Sequence, residues 1–194
     1  NAGINLLKYF TGKRVVFAGT CFEYKFKDEP IKEDDELDFE KNNYTFCKNK
    51  LREIAQYYCS NREISFAYGR IFYVFGINEA KTRLTGALFD KLLNNEEIII
   101  NNGELKKDYM YSKDIAGAFV SLLDSEVENV VNICTGKAIS LKDYSLEIAK
   151  KLGKEKFLTV KNEPTTQPML IVGDNSRLIN EVGYKMQYKF DEAI

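Results

Sequence analysis

Two side chains of this sequence, Tyr44 and Lys48, have the types and the spacing that proton transfer requires. They lie at the start of a predicted helix, where positions i and i+4 project from the same face. A nearby ammonium favours the phenolate and lowers the pKa of a tyrosine from its usual value of about 10, so that the phenol can act as a general acid or base. Thr20, which follows an apolar strand segment, offers a hydroxyl to the same substrate oxygen. These three residues form the predicted catalytic site.

The Tyr-x-x-x-Lys spacing also has a simpler interpretation, because the chain contains 12 tyrosines and 28 basic residues. In that interpretation Tyr44 is an exposed helix residue beside a solvated lysine. The order of the surrounding segments favours the catalytic interpretation. Thr20 ends a strand, an acidic loop follows, and the helix then starts at Tyr44.

Several segments, in this order along the chain, resemble the extended short-chain dehydrogenase/reductases that act on nucleotide sugars, the NAD-dependent epimerase/dehydratase family. They are similar to that family's strand end with its catalytic Ser/Thr, its catalytic helix, the strand and turn beside the cofactor, its Arg-Asp-aromatic segment and its Asn-Ile-Gly-x-Gly segment. Here they are residues 19–24, 44–48, 70–76, 107–114 and 131–136. The resemblance covers nearly the whole chain, from Asn1 to about Ile194.

The resemblance implies an α/β fold, a doubly wound Rossmann-type parallel sheet with a small α/β substrate-binding lobe. Residues 1–76 would form the C-terminal part of the dinucleotide-binding domain. Residues 77–194 would form mainly the sugar-nucleotide-binding lobe, with segment 109–134 returning to the sheet. The glycine-rich fingerprint of such folds belongs to their first strand-turn-helix unit, and no Gly-x-Gly-x-x-Gly occurs in this chain. We therefore expect an incomplete sheet that lacks its N-terminal half, as in one part of a longer protein.

The cofactor implied by the resemblance is NAD or NADP. Tyr44 and Lys48 would then bind the nicotinamide ribose, and Arg70 is a further cofactor-binding candidate. Arg70 has an alternative role as an anchor of its strand end. Because the glycine-rich unit is missing from these residues, we expect the 194-residue chain by itself to bind the cofactor weakly and to be inactive.

The substrate implied by the resemblance is a nucleotide-diphosphate sugar. Thr20 would hold a sugar oxygen, and Lys107 and Tyr109 would meet the diphosphate and the base. Lys107 replaces the family's usual arginine, which makes phosphate recognition less geometrically specific. The alternative is that Lys107 is a surface charge and Tyr109 an ordinary strand residue.

Three reactions are open within the family. The dehydratases carry an Asp-Glu pair directly after the catalytic Thr, whereas this chain has Cys21 and Phe22, which makes dehydration the least favoured. An epimerase and a reductase of 4-keto-6-deoxy sugars need only the Tyr, Lys and Thr with the nicotinamide, so both stay open. A non-catalytic or cofactor-deficient relative of the same fold is the alternative from another class.

Composition limits the other classes of function. With 28 basic and 29 acidic residues the net charge is −1, which gives no electrostatic reason to expect nucleic acid or an anionic membrane as a partner. No apolar run approaches the roughly 20 residues of a membrane span, and we expect a cytoplasmic enzyme. The absence of histidine from the sequence removes Ser-His-Asp and Cys-His mechanisms and most zinc sites. No metal is expected, and the cysteines are predicted to be buried free thiols: Cys21, Cys47, Cys59 and Cys134.

Hydrophobic periodicity predicts alternating strands and helices. The charged segment 25–43 is predicted to be a solvated loop. Asp114 is the predicted N-cap of a helix that ends at Leu123, and Ser140 is the predicted N-cap of a helix that ends at Leu152. The helix at 44–58 is predicted to pack on the sheet through Cys47, Leu51, Ile54, Ala55 and Tyr58. The other predicted elements are strands at 64–75, 97–100 and 130–133 and helices at 84–93 and 174–183.

The resemblance also implies a homodimer. In this family the Tyr-x-x-x-Lys helix and the helix before the catalytic strand, here residues 1–10, form a two-fold four-helix interface. Phe46 and Tyr57 lie off the core-facing stripe of the second helix and are the predicted contact residues.

Overall fold

The computed structural model describes residues 2–194, so that Asn1, the first residue of the predicted helix 1–10, lies outside the described residues. Helices and strands alternate along most of the chain, as the periodicity predicts. In chain order they are α1 (Ala2–Tyr9), β1 (Arg14–Thr20), α2 (Asn43–Ser60), β2 (Ser65–Ile71), β3 (Tyr73–Phe75), α3 (Leu84–Leu93), β4 (Ile98–Ile100), β5 (Lys106–Lys107), β6 (Tyr109–Tyr111), α4 (Ser112–Asp124), β7 (Asn129–Ile133), β8 (Ile139–Ser140), α5 (Leu141–Leu152), β9 (Leu158–Val160), β10 (Leu170–Ile171), α6 (Ser176–Asn180) and α7 (Phe190–Ala193).

Three parallel strands in the order β1-β2-β7 form the sheet that positions the predicted catalytic residues. Alternate residues of β2 point to opposite faces. Phe66 and Tyr68 pack in one cluster with α1 and α2, and Ala67 packs in another with α4 and α6. A sheet that is covered by helices on both faces confirms the predicted doubly wound α/β class. The carboxyl ends of its strands, including Thr20, share one edge, which is where such folds bind ligands.

A third hydrophobic cluster lies in the lobe that follows β3. Leu88 and Leu92 of α3 pack there against Tyr144 and Ile148 of α5. Strand β4 pairs with β9 in parallel, and β5 pairs with β10 and, antiparallel, with β8. Helix α6 packs on β7, so the chain returns to the parallel sheet after the lobe. The domain prediction had assigned this part of the chain to the lobe. The domain boundaries stay a prediction.

The prediction that Asp114 caps a helix is wrong. Helix α4 starts two residues earlier, with Tyr111 at its N-cap, and Asp114 lies buried in its first turn. Its carboxylate accepts hydrogen bonds from the hydroxyl of Tyr184 at 2.6 Å and from the backbone N–H of Gln187 at 2.8 Å. A carboxylate is stabilised near a helix N-terminus, and here it also ties the C-terminal segment to the helix.

The predicted sheet-facing side of α2 is wrong at two positions. Cys47 is exposed and Ile54 is 50% exposed, whereas Ala55 and Cys59 are buried. The buried face of α2 differs from the predicted one because the N-terminal half of the helix packs polar side chains, Thr45 and Asn49, towards the turn at Cys21–Glu23. Asn49 is buried there and donates to the backbone oxygens of residues 23 and 38. Cys47 therefore also departs from the prediction of a buried thiol, while the other three cysteines are buried and free.

Segment 25–43 is not the uniformly solvated loop that its charges predict. Ile31 is fully buried, and its N–H donates to the backbone oxygen of Val172 at 2.9 Å. Glu33 accepts a hydrogen bond from the backbone N–H of Asn132 at 2.9 Å, and burial raises the pKa of this carboxyl. The segment is therefore held on the sheet edge beside Thr20.

No helix within residues 2–194 is long and apolar enough to cross a membrane. In the same part of the chain, no group of three or more His, Cys, Asp or Glu residues is placed to hold a metal ion.

Candidate active site

Thr20 is fixed at the carboxyl edge of the sheet by a short turn. It is the last residue of β1 and the N-cap of a 3-10 turn at Cys21–Glu23. The Thr20 Oγ1 atom accepts from the N–H of Phe22 at 3.3 Å, and its own N–H donates to Glu23 Oε1 at 2.8 Å. This reciprocal pair is a capping box, which holds the turn in one conformation.

The N-terminus of α2 carries the predicted Tyr-Lys pair. The side chain of Asn42 caps the helix by accepting from the N–H of Thr45 at 2.9 Å. Tyr44, in the first turn, is 55% exposed. The Lys48 ammonium lies one turn later, 5.9 Å from the centroid of the Tyr44 ring, and donates to the backbone oxygen of Ala18 at 3.0 Å. The structure thus places Lys48 beside Tyr44 and joins it to the strand that ends at Thr20.

Arg70 has a different environment from the one expected of a cofactor ligand. It is only 1% exposed, and its Nε atom donates to Glu23 Oε2 at 3.0 Å. Its guanidinium also lies 4.3 Å from the centroid of the Tyr24 ring. These contacts correct the cofactor-binding assignment, because a buried guanidinium that is already paired has no surface to offer a ligand. They match the alternative role of anchoring a strand end.

Glu23 joins the Thr20 turn to helix α2, and the sequence-based prediction did not include it. Its carboxylate is fully buried and accepts from the Tyr68 hydroxyl at 2.9 Å, in addition to Arg70 and the Thr20 N–H. The same hydroxyl lies 3.3 Å from the backbone oxygen of Lys48. Burial, reinforced by the charge of Glu23, raises the pKa of Tyr68. The Thr-x-x-Glu spacing of a capping box was the available signal for Glu23.

Lys107 and Tyr109 lie on a strip of aromatic rings that starts at the Thr20 turn. The ring of Phe22 is 5.8 Å from that of Tyr73, which is 5.3 Å from that of Tyr109. The Lys107 ammonium lies 4.7 Å from the centroid of the Tyr73 ring, and burial lowers its pKa. The Tyr109 ring also contacts the lobe, where its centroid lies 4.3 Å from that of Tyr144 with the two rings tilted by 30°. Lys107 is therefore near the Thr20 turn, and the Tyr109 ring lies between two other rings.

Asp108 is a second buried carboxylate that the sequence-based analysis missed. It accepts from the hydroxyl of Thr135 at 2.6 Å and from the N–H of Gly136 at 3.0 Å, in the loop that follows β7. Burial raises its pKa, although these hydrogen bonds oppose the shift. Its place between Lys107 and Tyr109 was the only sequence signal. Asp108 thus fixes the junction between β5, which ends at Lys107, and β6, which begins at Tyr109.

The cysteine beside Thr20 has no thiolate to offer. Burial raises the pKa of Cys21 from 9.0 to about 12. A thiol is a nucleophile only as the thiolate, so Cys21 is a buried packing residue and not a nucleophile of this site.

Comparisons with known proteins identify the family of the chain. Residues 2–134 match the family model described as the NAD dependent epimerase/dehydratase family. The dTDP-4-dehydro-6-deoxyglucose reductase of Escherichia coli is 28% identical over 191 residues, which is 94% of this chain and 59% of that protein. The CDP-abequose synthase of Salmonella typhimurium is 21% identical over 159 residues, covering 78% of this chain and 53% of the relative. The chain thus spans somewhat more than half the length of these curated relatives.

Solved structures share the fold. A UDP-N-acetylglucosamine 4-epimerase from Methanobrevibacter ruminantium superposes with a TM-score of 0.87 at 20% identity, over 98% of this chain and 63% of that one. RMD from Pseudomonas aeruginosa, solved with NADPH, gives a TM-score of 0.89 at 16% identity, over 98% of this chain and 68% of that one. At these identities the likeness establishes the fold alone. The family match over most of the chain establishes more, and it confirms the resemblance: the chain belongs to the NAD-dependent epimerase/dehydratase family.

Proposed function

We propose that this chain carries the catalytic residues and the substrate lobe of an NAD- or NADP-dependent enzyme that reduces a nucleotide-linked 4-keto-6-deoxy sugar. The observation that carries the proposal is the placement of Tyr44 and Lys48 beside the strand that ends at Thr20, at the carboxyl edge of the parallel sheet. The E. coli relative, matched over 94% of this chain, is named as a reductase of a nucleotide-linked 4-dehydro-6-deoxy sugar, which favours reduction. Epimerisation would use the same three side chains and is the other outcome that the experiment below distinguishes.

Each of the three side chains has a role in the proposed reaction. Tyr44 gives a proton to the substrate oxygen from an exposed position, and the Lys48 ammonium beside it stabilises the phenolate that is left. Thr20 Oγ1 already accepts a hydrogen bond from Phe22. Its hydroxyl proton therefore stays available for donation to the same substrate oxygen.

The residues of this chain fit the nicotinamide end of the cofactor. One N–H of the Lys48 ammonium donates to Ala18, and the group has three donors, so two are left for ribose hydroxyls. When bound, the cofactor supplies the hydride that the sugar carbon takes up. The chain's own contribution is to orient the ribose and to move the proton.

The aromatic strip beside the Thr20 turn is the proposed place of the nucleotide diphosphate. Lys107 supplies a partly buried positive charge on the Tyr73 ring. Tyr109 lies 5.3 Å from the ring of Tyr73 and 4.3 Å from that of Tyr144, and we propose that it contacts the nucleotide through its hydroxyl.

A homodimer is part of this proposal. The outward faces of α1 and α2 expose Tyr9 at 85%, Phe46 at 46% and Tyr57 at 74%. Large apolar side chains that cluster on one surface indicate a protein interface, and a second copy of the same helix pair would bury them.

The test is an assay of the full-length protein with reduced cofactor and a nucleotide-linked 4-keto-6-deoxyhexose. Reduction consumes one cofactor for each sugar alcohol formed, which NMR of the product identifies. A parallel assay with oxidised cofactor and a nucleotide-linked hexose detects epimerisation, which would form the 4-epimer with no net consumption of cofactor. Binding of the nucleotide sugar with neither reaction would instead indicate a non-catalytic relative and would overturn the proposal.

A further inference from the structure

The ammonium of Lys41 lies against the Thr20 turn without a counter-ion. Its Nζ atom is 3.6 Å from the centroid of the Phe26 ring and 5.5 Å from that of Phe22. Within residues 2–194 it forms no ion pair and no hydrogen bond. The nearby carboxylate of Asp38 is engaged elsewhere, because it accepts from the backbone N–H groups of Glu40 at 3.1 Å and of Lys41 itself at 3.0 Å.

Lys107 is a second ammonium of the same kind. It lies on the Tyr73 ring at 4.7 Å and, within the described part of the chain, has no carboxylate in ion-pairing distance. Burial lowers the pKa of Lys107 and of Lys41 below the ordinary value of 10.5. Lys41 is exposed, so its cost is small, whereas the half-buried Lys107 without a partner is unfavourable in the free protein, a penalty that an anionic ligand removes.

The two ammoniums flank the same pair of rings. Lys41 lies over Phe22, Lys107 lies over Tyr73, and these rings meet edge to face at 5.8 Å. Each cation thus contacts one ring of a short aromatic wall beside the proposed catalytic turn.

We propose that Lys41 is a substrate-binding residue that clamps the diphosphate of the nucleotide sugar together with Lys107. The inference rests on the proposed function, which places the sugar at Thr20. Lys41 is at the Thr20 end of the wall and takes the phosphate next to the sugar. Lys107 takes the phosphate next to the nucleoside. Two point charges that are separated by an apolar wall fit an extended anion with charge at both ends, and a single phosphate reaches only one of them.

Binding of inorganic pyrophosphate to the full-length protein, measured by calorimetry without substrate or cofactor, tests the clamp. We expect Lys41→Met and Lys107→Met each to weaken binding about tenfold, the loss of one charge-assisted contact. Lys41→Arg should keep most of the affinity. Lys25→Met is the matched control, because this lysine of the same loop is exposed and paired with Glu36 at 3.1 Å, and it should bind as the wild type does. The wild type should prefer pyrophosphate over orthophosphate, and each Met variant should lose that preference.

Wild-type affinity for pyrophosphate in Lys41→Met, with unchanged circular dichroism, would overturn the inference whatever Lys107→Met does. An equal loss in Lys25→Met would also overturn it, because the effect would then be one of net charge. Neither result depends on turnover. The failure of the clamp is therefore separate from the failure of the proposed reaction, which the assay with the 4-keto sugar detects.

Discussion

The buried carboxylate of Glu23 accepts a hydrogen bond from the backbone N–H of Thr20 at 2.8 Å. The same carboxylate accepts from Tyr68, whose hydroxyl lies 3.3 Å from the backbone oxygen of Lys48. Glu23 therefore links the turn that carries the proposed substrate-binding hydroxyl to the helix that carries the proposed proton donor. Its charge is matched by Arg70 at 3.0 Å.

Breaking this ion pair should strongly destabilise the fold. In Glu23→Gln the guanidinium of Arg70 loses its counter-ion in a fully buried place, which costs about 3–5 kcal/mol of unfolding free energy. Urea denaturation measures this loss of unfolding free energy. Glu36→Gln, at an exposed pair with Lys25, is the control and should change stability by less than about 1 kcal/mol. A loss in Glu23→Gln no larger than that of the control would show that the buried pair does not hold the turn.

The affinity for diphosphate should fall as pH rises, and the fall should begin at a lower pH than the titration of ordinary lysines would give. Burial lowers the pKa of Lys41 and Lys107 below 10.5, so both become neutral earlier as pH rises, and the neutral amine loses its attraction for the anion. The stability of the fold also depends on pH through these two lysines. The unfolded chain binds more protons between each lowered pKa and 10.5, so the contribution of these lysines to stability rises with pH in that window. Pyrophosphate titrations across alkaline pH measure the first effect. In Lys41→Arg/Lys107→Arg the fall should move to higher pH, and an unmoved fall would assign it to other groups.

Association through α1 and α2 is open to a direct test. Tyr57→Glu places a charge in the proposed interface, where it would be buried without a partner, and should shift the protein from dimer to monomer. Analytical ultracentrifugation at micromolar concentration measures the shift. Val120→Glu is the control, because Val120 is 59% exposed on α4 at the other face of the sheet. A monomeric wild type would refute the proposed dimer.

Local patterns predicted those parts of the fold that depend on neighbouring residues. Ser140 caps α5 as predicted, and its hydroxyl both accepts from the Asp143 N–H at 3.0 Å and donates to the Asp143 carboxylate at 2.7 Å. Asp114 is also a residue type that favours N-caps, yet its partner Tyr184 is 70 positions away, and Asp114 lies buried in the first turn of α4. The sequence near residue 114 holds no trace of that partner.

In the candidate site, too, contacts between neighbouring residues were predicted and contacts between distant residues were not. The side-by-side placement of Tyr44 and Lys48 follows from their one-turn spacing on a helix, whereas the catalytic interpretation depended on the order of the surrounding segments. Arg70 was misassigned because its partner Glu23 lies 47 positions earlier. The sequence around a basic residue near a strand end does not show whether the fold brings a carboxylate to it. Lys41 was overlooked within a charged loop, because its contacts with Phe22 and Phe26 exist only once the loop folds onto the sheet edge.

The measurement that tests the account most directly is the turnover number of Tyr44→Phe in the full-length protein. Removal of one oxygen from an exposed position leaves the packing of α2 in place, so the loss reports on proton transfer. We predict that kcat falls by about 10²–10⁴-fold, as is typical of a general acid-base group. Tyr57→Phe, on the outward face of the same helix, should retain wild-type turnover. Turnover in Tyr44→Phe within a few-fold of the wild type would contradict the assignment of Tyr44 and the catalytic site built on it.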